Sequence, residues 1–296
     1  MRPIGTRTLA AGLALLAVAA ITAGVFVGPA GLTPREVLAA LARRGGEADA
    51  IVWSLRLPRV VLGLLVGGVL AVSGASLQVL VRNPLADPYL LGLSGGAGLG
   101  AVLALSAGIV TPWLVPVAAF AGALVSGILA VSAAQGARTA MVWLMGGLGG
   151  VGWGGVLALA CYAVPGLAVL AAEARTLNLL AMGEEPARHL GADVDASRRR
   201  IYFAASLLTA AAVAATGIIG FVGLVVPHAI RLLRGHDHRV LLPAAFVAGG
   251  ALLVGADVGA RTAFAPLELP VGVVTAVVGV PVFALLLRRW TSRSSS

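Results

Sequence analysis

Glu184, Glu185, Arg188, Asp193, Asp195 and the triplet Arg198, Arg199 and Arg200 crowd into residues 183–200, between two stretches apolar enough to enter a membrane. Acids followed by arginines at near-helical spacing form ion pairs along one face of a short surface helix, and Gly183 and Gly191 supply its punctuation. Such a segment suits docking against a soluble partner better than bond chemistry. Arg56 and Arg59 stand one helical turn apart, as do Asp257 and Arg261. A guanidinium fork can grip a carboxylate, Asp257 can pair with Arg261 across the turn, and arginines near helix ends also snorkel towards the membrane surface. His228, His236, Asp237 and His238 have ligand chemistry, but His236 and His238 lie in a loop flanked by arginines that repel cations. His228 follows Val-Val-Pro, where capping a turn is the simpler task, and no metal site is expected. Cys161, the single cysteine, excludes an intrachain disulfide and a multi-cysteine metal site.

The elements that must position these residues follow from composition. The chain is 59% hydrophobic and 11% charged, with a mean hydropathy of +0.99. That is far more apolar sequence than a soluble core of this length needs, so its main solvent is lipid. The net charge of +9 falls in short islands rather than on one continuous face, which argues against nucleic acid. All 21 basic residues are arginine. Without lysine the chain cannot carry a Gly-x-x-x-x-Gly-Lys phosphate loop, so any ATP chemistry belongs to a partner. No cofactor and no catalytic residue are expected.

Apolar stretches at 8–28, 60–81, 90–110, 113–134, 156–173, 201–217, 219–233, 240–260 and 270–287 each approach the roughly 20 residues that cross a bilayer. Lipid satisfies no open backbone group, and nothing alternates as a barrel strand would, so all are expected to be helices in one all-α polytopic bundle over 1–296. The 40 glycines suit close helix approach, for example at Gly67 and Gly68 beside Ser73. Arginines mark the flanks: Arg2 and Arg7, the 183–200 island, Arg231 to Arg239, and Arg288 to Arg293. Placing them all in the cytoplasm puts both termini inside and requires an even number of crossings. Thr139 to Gly155 is then the segment left to make the tenth, as a short, strained helix with Trp143 and Trp153 near its ends. The loop from Thr33 to Trp53 reads as a solvated outer linker, and 290–296 as a disordered tail.

Several blocks carry a resemblance. They are Leu55-Arg56-Leu57-Pro58-Arg59; Ser73-Gly74-Ala75 with Gln78; Asn83-Pro84-Leu85-Ala86-Asp87-Pro88; Trp143-Leu144-Met145-Gly146-Gly147; and Gly183-Glu184-Glu185 with Ala187, Arg188, Leu190 and Gly191. Then come Gly217 to His228, His238 to Pro243, and Glu268-Leu269-Pro270-Val271-Gly272. In this order the chain resembles the membrane permeases of binding-protein-dependent ABC importers for iron–siderophores, haem and cobalamin, closest to the cobalamin branch. It is shorter than the family's ten-span pattern by about one helix, missing between Gly136 and Trp143.

The resemblance implies a homodimeric permease of nine to ten spans in the cell membrane. Its path would lie between the two copies, with ATPase subunits on the cytoplasmic side and a solute-binding protein outside. It makes the loop over 176–200 a coupling element for the ATPase, through Gly183, Glu184, Glu185, Ala187, Arg188, Leu190 and Gly191. Arg56, Arg59 and Arg261 fall where the family exposes arginines towards acids of the binding protein. Two other classes compete. Gly92-Leu93-Ser94-Gly95 fits the Gly-x-Ser-Gly of an intramembrane serine protease with His228 as base, but leaves 183–200 unexplained. An ion-gradient-driven transporter needs ionisable residues within its spans, and Asp257 stands almost alone there.

Overall fold

The computed structural model describes residues 4–44, 46–87, 145–265 and 267–294. Helix α1 (Thr6–Phe26) is 21 residues long and apolar on every side. Few of its residues are buried, so most of its surface faces the surroundings, as a lipid-facing span requires. A capping box at Thr33 and Glu36, with Pro34 at the first helical position, starts α2 (Pro34–Leu41). The short α3 (Glu47–Ala50) then runs through a widened π turn at Ile51–Arg56 into α4 (Leu57–Leu80). Pro58 lacks the N–H that would close the ladder onto Ser54, and the helix loosens just before it.

Helix α4 is the axis of the molecule, buried on nearly all sides. Around it pack α5 (Trp153–Ala172), α8 (Val194–Thr216), α9 (Val222–Arg234) and α10 (His238–Thr262). Between α5 and α8 lie the short α6 (Ala174–Met182) and α7 (Glu184–His189), and the last helix is α11 (Val271–Ser294). The pair α4–α10 is the most extensive contact. It is close because a Cβ on Gly67 would collide with the backbone of Gly249 and Gly250, and one on Gly249 with that of Gly67. Glycine at the crossing lets two backbones touch, which is how helices associate where lipid offers no hydrophobic drive.

Among the described residues four helices are long and apolar enough to cross a membrane: Thr6–Phe26, Glu47–Leu80, Trp153–Ala172 and His238–Thr262. The expected stretch 201–217 belongs to a longer helix that begins at Val194, so the arginine triplet forms its first turns rather than a loop. The stretch 219–233 yields only the 13 residues of α9, about 20 Å at 1.5 Å per residue. Before it the chain is irregular, and Phe221 takes a left-handed conformation at φ 69°. The stretches 90–110 and 113–134 lie outside the described residues.

Two expectations change. Residues 145–152 are not helical. Gly146 (φ 71°) and Gly150 (φ 78°) turn the chain, Gly147 N–H donates to Thr216 O at 2.8 Å, and Leu148 is buried. Irregular backbone survives in a membrane protein where other protein covers it, and here Gly146 and Gly147 pack against the stretch 216–219. The rest of the expected short helix, 139–144, lies outside the described residues. The Thr33–Trp53 linker is a folded cap instead: Val37, Ala40 and Val52 are buried with Val25, Val60 and Val254. Trp53 Nε1 donates to Ala40 O at 2.9 Å, and Arg43 stacks over its ring at 4.3 Å. The cap's charges lie on its outer side, which is why it reads as a linker.

Candidate functional site

The polar residues gather at two opposite ends of the bundle. At the first end Ile4 N–H donates to Leu233 O at 2.9 Å and Arg234 to Thr6 Oγ1 at 2.8 Å, so the start of α1 sits beside the end of α9. The 174–200 segment is at this end too. Gly183, at φ 124°, breaks α6 from α7, a conformation that disfavours any side chain. Ala187 is fully buried and seats α7 on the bundle, while Glu185, Arg188 and Leu190 are exposed, as is Gly191 at φ 80°.

The expected mixed-charge helix is therefore present, and its charges divide into two sets. Glu184 forms partly exposed pairs with its neighbours, 2.7 Å from Arg198 on α8 and 3.3 Å from Arg82 just past α4. Arg188 pairs with Asp195 at 3.0 Å. At the α5–α6 junction, Glu173 is buried and holds Arg200 at 2.6 Å. The segment is thus bolted to α4 and α8 while presenting Glu185, Arg188 and Leu190 outward.

A third bolt was not expected from the sequence. Asn178 on α6 donates from Nδ2 to Asp237 at 2.8 Å, and its Oδ1 accepts from the His238 backbone N–H at 2.8 Å. The same Oδ1 lies 2.7 Å from Nδ1 of the His238 ring. An amide oxygen only accepts, so Nδ1 carries the proton. Flipping the amide would set donor against donor. Asp237 also caps α10 through the Arg239 N–H at 3.0 Å, and these hydrogen bonds, Asn178's first, hold its carboxyl below the usual range. His238 itself is buried. The only local signal is one amide, Asn178, among the mainly apolar residues of α6. The sequence pattern singles out Gln78 but not its role: it donates to Ala86 O and Gly223 O, both at 3.2 Å, and accepts from Arg231 at 2.6 Å.

At the second end Arg56, Arg59 and Arg261 do come together. Arg56 and Arg261 are 4% and 3% exposed, and their guanidiniums point at the C-terminus of α1. Arg56 Nη1 donates to Val25 O at 2.7 Å and Phe26 O at 3.1 Å, and Arg261 Nη2 to Gly24 O at 2.7 Å. The final carbonyls of a helix lack partners within it and carry partial negative charge, and two arginines answer both needs. Arg59 grips the buried Asp257 through Nε at 3.0 Å and Nη2 at 2.8 Å, and reaches Glu268 through Nη1 at 3.0 Å. Asp257 also lies 3.4 Å from Arg261, so the pairing expected across one helical turn is present, with Arg59 as the tighter partner. Trp153 Nε1 donates to Trp53 O at 2.8 Å at this end.

Of the other candidates, Ser94 lies outside the described residues, so the geometry of a Ser94–His228 pair is not defined.

The FecCD transport family model matches residues 15–139 and 124–289. The chain belongs to the FecCD transport family. It is 47% identical over 275 residues to the cobalamin import system permease protein BtuC of Halobacterium salinarum, covering 81% of this chain and 74% of that one. It is 39% identical over 317 residues to the vitamin B12 import system permease protein BtuC of Klebsiella pneumoniae, covering 95% and 94%. A solved inward-facing ABC transporter described as of the metal-chelate type superimposes with a TM-score of 0.76 at 26% identity, over 96% of this chain and 99% of that one. The Klebsiella alignment runs to more positions than the 296 residues of this chain, so the relative carries residues this chain lacks. The two family matches meet at 124–139, next to the break expected between Gly136 and Trp143. This is an ABC importer permease of the all-helical membrane type.

Proposed function

We propose that the chain is the membrane-spanning subunit of an importer for cobalamin or a closely related metal chelate, working as a homodimer with the translocation path between the copies. ATPase subunits dock on the first end, and a solute-binding protein delivers substrate to the second. The first end faces the cytoplasm. Arg7, Arg82, Arg175, Arg188, Arg198 to Arg200, Arg234 and Arg239 crowd there, in keeping with the cytoplasmic excess of arginine. The observation that carries this reading is the 174–200 segment: an exposed mixed-charge surface joined to α4, α8 and α10 by Glu184, Glu173 and Asn178. Movement of a partner seated on it reaches those helices as rigid-body motion.

The outer docking role falls first to Arg59, whose Nη1 side reaches the surface. Arg56 and Arg261, committed to α1, contribute their field. The exposed members test the coupling assignment. Co-expression of the permease carrying Glu185→Arg and Leu190→Asp with its ATPase should lose co-purification of the ATPase, while the permease still inserts. ATPase recovery at the wild-type yield would sink the assignment.

A further inference from the structure

The outer arginine cluster holds three guanidiniums against two carboxylates, and the two carboxylates are not equivalent. Asp257 is 2% exposed, set within α10 with Arg59 on one side and Arg261 on the other. Removing it would strand buried positive charge, which is costly. Glu268 is 43% exposed and sits in the loop before α11, beside Leu269, whose N–H is fixed to Ala260 O at 3.0 Å. It touches Arg59 only through Nη1. Asp257 takes the Nε and Nη2 edge from inside, so Nη1 is the part of the fork left for anything arriving from solvent. Gly149 lies against this pair: a Cβ there would be 3.8 Å from Arg59 Nη1 and 3.9 Å from Glu268 Oε2.

We propose that Glu268 is an intramolecular stand-in for the partner's carboxylate: it occupies the outward donor of Arg59 in the free permease and is displaced when an acidic residue of the solute-binding protein docks. This rests on the docking reading of Arg59 and adds the residue that sets the strength of docking. The energetics favour exchange. A half-exposed ion pair is weak and salt-screened, so it opens readily, while three guanidiniums against two carboxylates leave a formal positive excess, only partly offset by the end of α1, that draws in another carboxylate. The displaced Glu268 repels the newcomer and competes for the same donor. Docking is thereby weaker than an unoccupied Arg59 would give.

Binding of the purified, substrate-free solute-binding protein of the same transport system to the full permease–ATPase complex in nanodiscs tests this. Four versions are compared: wild type, Glu268→Gln, Arg59→Lys and the double variant. Glu268→Gln is an exposed, near-isosteric change that leaves Arg59 and Asp257 in place. It should bind about 2- to 5-fold tighter at low salt, the range expected for loss of a competing surface pair, with the gain shrinking as salt rises. Arg59→Lys keeps the charge beside Asp257 but not the outward fork. It should weaken docking, and in its background Glu268→Gln should gain nothing. If Arg59→Lys binds as wild type does, the docking reading falls and the proposal with it. If Arg59→Lys weakens binding but Glu268→Gln gives no gain, or the same gain in both backgrounds, the docking reading stands and the stand-in role is overturned.

Discussion

Arg56 and Arg261 show how one residue type serves two masters. Near helix ends in an apolar chain, an arginine reads as a surface group, either for a partner or for the lipid headgroups. Here both are buried, and the deciding term is the unpaired carbonyls at the end of α1: Gly24, Val25 and Phe26 have no N–H ahead of them to accept from. That requirement belongs to a helix about thirty residues away in sequence for Arg56 and far more for Arg261, so local pattern could not reveal it. The Asp257–Arg261 proximity was legible because it is local. Replacing Arg56 with Met keeps the volume but leaves Val25 O and Phe26 O without donors, at about 1–3 kcal/mol for a stranded buried group. Removal of the charge's own desolvation offsets part of that. The purified variant should unfold at a lower temperature in detergent, with α1 the first segment cut by protease. A melting temperature equal to the wild type's would show that the staple contributes nothing. Arg59→Lys keeps a charge beside Asp257 but loses the two-point grip on that buried carboxylate, so it should also melt below wild type.

Between residue and whole, the 174–200 segment behaves as a unit because three separate bolts hold it. The mixed charges and glycine punctuation of 183–191 were enough to expect a short surface helix, since those signals lie within a few residues of one another. What they could not show is that Glu184 pairs with Arg198 and Arg82, or that the triplet Arg198 to Arg200 opens α8 instead of ending a loop. The Asn178 bolt was least legible, for a single amide on an apolar face states no partner. It makes a sharp prediction. Asn178→Leu leaves the His238 N–H and the Asp237 carboxylate without their partner on α6, so the segment is freed from α10 while Glu184 and Glu173 still hold it to α8. Backbone amides over Leu177–Met182 should exchange hydrogen faster in the variant, with exchange in α4 unchanged. Equal exchange over 177–182 would mean that the amide is incidental to the segment's order.

For the whole molecule, the argument from arginines to topology can now be made from contacts. The N-terminus touches Leu233 and Arg234; Arg82, past the end of α4, touches Glu184; and Asn178 touches Asp237. All of these lie at one end. Trp153 touches Trp53, Arg59 touches Glu268, and Arg261 reaches the end of α1 at the other. So α4 runs out at the first end, and the chain is next described, from Met145, at the second. The number of spans was not legible from apolar length alone, because α9 is only 13 residues and is completed by irregular backbone that hydropathy counts as helix. The segment 145–152 reads as a poor helix for the same reason: glycine-rich apolar sequence does not show that Gly146 packs against another loop and that Leu148 is buried. Single cysteines in a Cys161→Ala background decide the arrangement. Gly152 has nothing within 4 Å of an added Cβ, Leu267 is exposed beside Glu268, and Leu190 is exposed on the coupling segment. A membrane-impermeant maleimide applied to intact cells should label Gly152→Cys and Leu267→Cys, whereas Leu190→Cys should react only after permeabilisation. Labelling of Gly152→Cys together with Leu190→Cys from one side would place the irregular segment at the coupling end, and the two-ended arrangement of the molecule would be wrong.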